Sequence, residues 1–360
     1  MLGASIYFST PLEENERYLK EISPFNVKYI FTSMQIPEEK TEQQLELLKK
    51  FISVTNRLEM KLMVDISPET FRKFNVQKEE AIDFLKSLDV KCVRVDYGFD
   101  YSEIKAFSNE FEVVLNASTI DEDFYQKGLE KGLDFTKIIA CHNFYPRKDT
   151  GLDKDWIIRK NKKLQAFGLK VMMFIPGDER KRGPVFEGLP TVEAHRNQSV
   201  FTSFVECVED LFADEVLIGD IQASRKELAK IQDYINNGVI TLEVEHLSDS
   251  DYIDKCLSNR KDVAMNVVRC VESRTVLKKQ DIVPYNTVQR EIGAITMDNE
   301  CYGRYQGEVQ IVKRPLEADE RVNVIGEVCE TSKGLLQYIK DGTKFKFVGV
   351  DKDENNHVSL

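Results

Sequence analysis

The chain has 360 residues, 42% hydrophobic and 31% charged, with a formal net charge of -11. That length can bury one large core or two. The acidic balance disfavours a nucleic acid or an anionic membrane surface as the main partner, because a polyanion is repelled overall, and leaves room for a local basic pocket for one phosphate.

No apolar run approaches the roughly 18 residues of a membrane helix, so no membrane span is expected. Residues 1–9 carry no positive side chain and read as a first strand, not a signal peptide. The seven cysteines are odd in number and lack a CxxC pair. Buried free thiols in a reducing cytoplasm fit this better than disulfides or zinc.

The first two thirds of the chain alternate. Apolar runs at residues 4–8, 29–34, 62–66, 92–97, 113–117, 138–143, 171–175 and 215–219 predict strands. Amphipathic stretches at 12–22, 42–57, 78–88, 102–109, 122–131, 154–167, 197–212 and 226–235 predict helices between them. A strand–helix repeat of roughly 30 residues implies a parallel sheet. Eight such units close into a (β/α)8 TIM barrel. The alternative is an open doubly wound sheet, but no G-x-G-x-x-G turn follows the first strand. Helix starts agree with the pattern. Thr10-Pro11-Leu12-Glu13 has the form of a capping box, Thr41…Gln44 and Ser224…Glu227 repeat it, and Ser67-Pro68 gives a cap followed by proline.

From Gly238 the rhythm changes. Residues 239–245, 264–271, 294–297, 310–312, 321–328 and 344–350 read as strands, and 333–340 as a helix. The expected division is a barrel domain at 1–238 and a mostly β domain at 239–360. No low-complexity linker separates them, so the two are expected to pack together, with a ligand site near the boundary.

Alternation decides which side chains enter the barrel. The valines of Cys92-Val-Arg-Val-Asp96 belong against helices, so Arg94 and Asp96 point inward. The same logic sends Asp65 and Ser67 inward on the third strand, and Asn116 and Ser118 on the fifth. Asp220 ends the eighth strand. Asp96, Asp65 and Asp220 are therefore expected at the C-terminal mouth, where burying unpaired carboxylates would cost about 3–5 kcal/mol each. The bland reading makes Asp96 an internal partner of Arg94, and Asp65 and Asp220 helix caps. Two carboxylates flanking a sugar ring perform acid and base work in glycoside hydrolysis. A loop carboxylate, Asp178 or Glu187, is the other possible source of one of the pair.

Residues 138–152 run from an apolar strand into His142, Asn143, Tyr145 and Arg147. Asn143 and Tyr145 share one face and His142 takes the other, so this stretch suits a platform that orients a substrate. The long loop after the seventh strand carries Arg182, His195 and Arg196, and the two arginines suit a phosphate. Arg290, Tyr302, Arg304 and Tyr305 suggest a surface for something planar or anionic. A metal at Asp65, Asp96 and His142 is conceivable, but no H-x-x-x-H spacing supports one. No lysine faces the mouth for Schiff-base chemistry, and no G-x-S-x-G elbow is present.

Three blocks resemble a family. They are His142-Asn143-Phe144-Tyr145-Pro146 with Thr150-Gly151-Leu152; Leu189-Pro190-Thr191-Val192-Glu193-x-His195-Arg196; and Arg290…Asp298-Asn299…Tyr302-Gly303-Arg304-Tyr305. Across nearly the whole chain they are similar to the bacterial 6-phospho-N-acetylmuramidases. Val192 and Ile295 stand where other apolar residues would be expected. The resemblance implies a TIM barrel followed by a small cyclophilin-like β domain. It also implies hydrolysis of the β-1,4 bond of 6-phospho-N-acetylmuramyl-N-acetylglucosamine in cell-wall recycling, with no cofactor. The partner is then a phosphorylated amino-sugar disaccharide. Asp96 is the first candidate for catalysis, with Asp65 or Asp220 as its partner. Asn116, His142, Asn143 and Tyr145 would position the sugar. Arg182, Arg196, Arg290 and Arg304 would hold phosphate and lactyl carboxylate, with His195 and Tyr302 nearby. The alternatives are a metal-dependent sugar-phosphate isomerase or lyase, and a non-enzymatic sugar-phosphate-binding protein.

Overall fold

The computed structural model describes residues 1–34, 41–276 and 281–350. They fall into two compact units, Met1–Ala229 and Lys230–Leu360.

In the first unit eight parallel strands close into a barrel. They are β1 (Leu2–Ser5), β2 (Tyr29–Ser33), β3 (Lys61–Ile66), β4 (Cys92–Val95), β5 (Glu112–Asn116), β6 (Ile138–Cys141), β7 (Lys170–Ile175) and β8 (Glu215–Ile218). Leu2 of β1 pairs with Val216 of β8 and seals the ring. The helices between strands are α1 (Leu12–Ile22), α2 (Thr41–Arg57), α3 (Pro68–Lys73), α4 (Ala81–Ser87), α5 (Tyr101–Glu110), α6 (Glu122–Glu130), α7 (Lys154–Ala166), α8 (Val200–Glu209) and α9 (Arg225–Asn237). The TIM barrel expected from the repeat is the fold observed. None of the helices, among the described residues, is long and apolar enough to cross a membrane.

Caps set the helix starts. Asp100, Asp121, Asp153 and Ser199 each accept an N–H from the first turn of α5, α6, α7 and α8. Each such bond is worth about 1 kcal/mol. Ser224 does the same for Glu227 at 3.3 Å. The Thr10 box does not form. Its hydroxyl is buried without a partner, and Asn15 closes that turn by donating to the Tyr7 and Thr10 carbonyls. The Thr41…Gln44 cap rests on a Thr41 side chain outside the described residues.

The barrel interior is layered. At the N-terminal end Tyr29 and Lys61 both donate to Glu112. The middle holds Met63, Cys92, Val114, Ile139, Met172 and Leu217. The inward face of β3 thus passes from Lys61 through Met63 to Asp65, and that of β5 from Glu112 through Val114 to Asn116. The apolar layer separates the basal ion pair from the polar mouth, as a filled barrel core requires.

The second unit holds a seven-stranded sheet in the order β10-β15-β9-β14-β12-β13-β11. Its strands are β9 (Val239–Leu247), β10 (Leu257–Ser258), β11 (Val267–Arg269), β12 (Ala294–Asp298), β13 (Val309–Val312), β14 (Val322–Val328) and β15 (Lys344–Gly349). β15 runs parallel to β9, and the other neighbours are antiparallel. A two-residue strand such as β10 leaves no alternation to read. Two short helices follow in sequence, α10 (Glu272–Thr275) and α11 (Glu330–Lys333), the latter continuing into a 3-10 turn at Gly334–Tyr338. The helix expected at 333–340 is this 3-10 turn.

A candidate active site at the barrel mouth

Arg94 is the hub of the mouth. Its Nη1 lies 2.7 Å from Asp65 Oδ1 and 3.4 Å from Asp96 Oδ1. Its Nη2 donates to Asn143 Oδ1 at 2.5 Å. Asn116 Nδ2 donates to Asp96 Oδ1 at 3.2 Å, and Ser33 Oγ to Asp65 Oδ2 at 3.2 Å. Four strands, β3 to β6, and the end of β2 therefore contribute to one network. The alternation of the sequence puts Asp65, Arg94, Asp96 and Asn116 on the inner face, and the structure brings them together there.

The two carboxylates differ in setting. The Asp65 side chain is 9% exposed and that of Asp96 is 23% exposed. Burial pushes the Asp65 carboxyl above the usual carboxylate range; the Arg94 guanidinium opposes this, and Asp96 adds to it. Asp96 Oδ2 has no hydrogen-bond partner among the described residues. Because both carboxylates reach the same Nη1, their contacting oxygens are no more than about 6 Å apart.

Asp220 sits differently. Its side chain is fully buried, and its oxygens accept backbone N–H groups from Gly177 at 3.0 Å, Arg182 at 2.9 Å and Leu189 at 3.2 Å. The carboxylate folds the loop after β7 instead of facing a substrate, which corrects its placement as a catalytic candidate. The backbone is drawn in so closely that a Cβ on Gly177 would lie 2.3 Å from the Gln222 carbonyl, and one on Gly219 2.6 Å from that of Leu189. Asp178 accepts the Ser224 N–H at the start of α9.

That loop carries Arg182 onto the mouth. Its guanidinium lies 4.2 Å from the ring centre of Tyr7 and 5.9 Å from that of Phe144. It makes no ion pair among the described residues. Phe31, Phe144 and Phe174 pack edge to face beneath, with centroids 5.1 to 6.1 Å apart. The mouth thus has a polar half on β3 to β6 and an aromatic half roofed by one unpaired cation.

Arg196 spends its donors on protein. It bonds both oxygens of Glu193, at 2.6 and 2.7 Å, and the carbonyls of Tyr145, Arg147, Glu187 and Gly188. These bonds hold the Glu193 carboxyl down at about 2. Arg196 is a staple between two mouth loops, a correction to its reading as a phosphate ligand. Tyr145 is half-buried, and its N–H donates to Pro190.

His142 and His195 both lie outside the mouth, and their substrate-binding roles are corrected too. His142 faces the helix layer, with its ring 2.7 Å from Asn161 Oδ1 on α7. Burial pushes it down to about 4. Asp65, Asp96 and His142 therefore do not converge on one metal position. His195 is fully buried, with Nε2 3.6 Å from Glu206 on α8.

Arg290, Tyr302 and Arg304 belong to the second unit. Arg290 donates to the Glu317 carbonyl, Arg321 covers the Tyr302 ring, and Arg304 donates to the Tyr305 hydroxyl.

The family descriptions "6-phospho-N-acetylmuramidase, N-terminal" and "6-phospho-N-acetylmuramidase, C-terminal" match residues 2–233 and 240–348. The chain belongs to the 6-phospho-N-acetylmuramidase family. A solved conserved protein of unknown function from Enterococcus faecalis is similar at 32% identity and a TM-score of 0.87, covering 99% of this chain and 98% of that one. An uncharacterized B. cereus protein is similar at 27% identity and a TM-score of 0.78, covering 96% and 99%. No curated protein matches the chain. In this muramidase-family chain the residues that strand alternation overlooked are Phe31, Phe144 and Phe174, which read as core, and Thr191. Thr191 is buried and ties the loop to β6 and β7 by donating to the Asn143 carbonyl and accepting the Phe174 N–H.

Proposed function

We propose that the chain hydrolyses the β-1,4 bond of 6-phospho-N-acetylmuramyl-N-acetylglucosamine, releasing N-acetylmuramic acid 6-phosphate and N-acetylglucosamine in cytoplasmic cell-wall recycling. The observation that carries this is Asp96, a carboxylate anchored through one oxygen by Arg94 and Asn116 and open at the other. Asp96 acts on the anomeric carbon. Asp65 is the partner carboxyl: burial raises it and Arg94 opposes this, so it delivers a proton to the leaving oxygen only where the substrate draws Arg94 away from it. Asn116 and Asn143 hold the carboxylates in register, and Tyr145 and Phe144 offer the sugar an apolar face. Arg182 supplies the positive charge for the 6-phosphate or the lactyl carboxylate.

The test is a reducing-sugar assay with the phosphorylated disaccharide and its dephosphorylated counterpart. Turnover of the first, with at least a hundredfold preference over the second, is expected. Equal turnover would remove the role of Arg182, and no turnover of either would remove the hydrolase reading.

A further inference from the structure

The second unit contains a cavity of about 440 Å3 that the barrel chemistry does not use. Its wall is cationic in a chain whose net charge is -11. Arg260, Lys261 and Arg274 line it together with Asp262 and Glu308. Arg269, at the end of β11, takes both oxygens of the lining Glu308 at 2.6 and 3.0 Å. Arg274 reaches the same carboxylate at 3.3 Å. Arg260 forms a two-point pair with Asp262, both contacts at 2.9 Å. Lys261 makes no ion pair among the described residues. Four cations thus share two carboxylates. Glu272, the next acid along the chain, is turned to the Ser258 N–H at 2.8 Å. Asp298 adds less than a full charge near neutral pH, since burial, with Glu308 and Asp319 adding repulsion, pushes it up to about 7.

The arginines are also pre-positioned. Glu308 and the Arg304 carbonyl, at 3.3 and 3.0 Å, fix Arg274, and its guanidinium lies 5.4 Å from the Tyr305 ring centre. A fixed fork loses little entropy on meeting an oxyanion. A volume of this size is in the range of small-ligand sites, and four cations over two carboxylates, with Lys261 free of any ion pair among the described residues, suit a doubly charged oxyanion.

We propose that this cavity binds a phosphate group, free or as the monoester of a small sugar, at Lys261 and Arg274. The inference goes beyond the barrel chemistry and does not rest on it.

The test is calorimetric titration of the full chain carrying Arg182→Gln, which silences the cation at the barrel mouth. The probes are inorganic phosphate and glucose 6-phosphate. The same titrations are run after adding Lys261→Gln and Arg274→Gln together. Binding in the first protein and at least tenfold weaker binding in the second are expected. Lys261→Gln alone changes one exposed, unpaired side chain, so it guards against loss of fold and is expected to weaken binding severalfold. Tighter binding of the sugar phosphate assigns the ester as ligand, and equal or tighter binding of inorganic phosphate assigns the free ion. No heat from either probe, or equal affinity with and without the two cavity substitutions, overturns the proposal.

Discussion

Replacing Arg94 by methionine tests the construction of the mouth. The arginine side chain is 5% exposed and makes contacts to Asp65, Asp96 and Asn143 at 2.7, 3.4 and 2.5 Å. Methionine fills a similar volume but leaves Asp65 a buried carboxylate with Ser33 as its remaining side-chain donor. Breaking a buried pair in this way costs about 3–5 kcal/mol. For a unit of this size that is a fall in melting temperature of roughly 10 °C. The loss depends on pH. Burial already raises the Asp65 carboxyl, and without Arg94 it rises further, so the folded chain takes up a proton more readily. The variant is therefore expected to lose less at pH 5 than at pH 8. Adding Asp65→Asn removes the orphaned charge and is expected to restore at least half of the loss at pH 8. Urea unfolding followed by circular dichroism measures all four proteins of the cycle. A cost below about 1 kcal/mol for Arg94→Met, or no recovery in the double variant, would refute the reasoning.

Asp220→Asn replaces an acceptor of three backbone N–H groups with an amide that can accept through one atom only. The loop at residues 176–189 is expected to become cleavable by a protease under conditions that leave the parent protein intact; unchanged cleavage would contradict its folding role. Asp298 is pushed up to about 7, so between about pH 4 and 7 the folded second unit holds more protons than the unfolded chain. Its stability is expected to fall as pH rises through that window, by roughly 2–4 kcal/mol, and Asp298→Asn is expected to flatten the melting profile. His142 has the opposite sign. Its folded value near 4 means that the unfolded chain binds the proton first, so the first unit loses up to about 3 kcal/mol as pH falls from about 6.5 to 4. An NMR titration in which His142 charges near pH 6.5 in the folded protein would contradict this.

Much of the barrel was legible because it repeats one physical rule. An inward residue every second position placed Asp65, Arg94, Asp96 and Asn116 correctly. The same rule set His142 on the face opposite Asn143 and Tyr145, yet His142 was still expected to position the sugar, whereas its ring bonds Asn161 in the helix layer. What alternation does not encode is the path of a loop. Asp220 ends its strand as Asp96 does, yet backbone amides 31 to 43 residues away seal it. Arg196 has the form of a phosphate ligand in the sequence, but carbonyls from two other segments consume its N–H groups. The aromatic floor was hidden for a different reason. Phe31 and Phe174 have the spacing of any core residue, and only the fold shows that they and Phe144 meet beneath Arg182.

The most direct measurement of the central claim is mass-spectrometric product analysis of the phosphorylated disaccharide incubated with the purified chain and with its Asp96→Asn variant. The account predicts that the parent protein yields N-acetylmuramic acid 6-phosphate and N-acetylglucosamine, and that the variant, folded and with an unchanged melting profile, is slower by about three decades or more. Near-equal product from the two proteins would contradict the assignment of Asp96 as the carboxylate that meets the substrate.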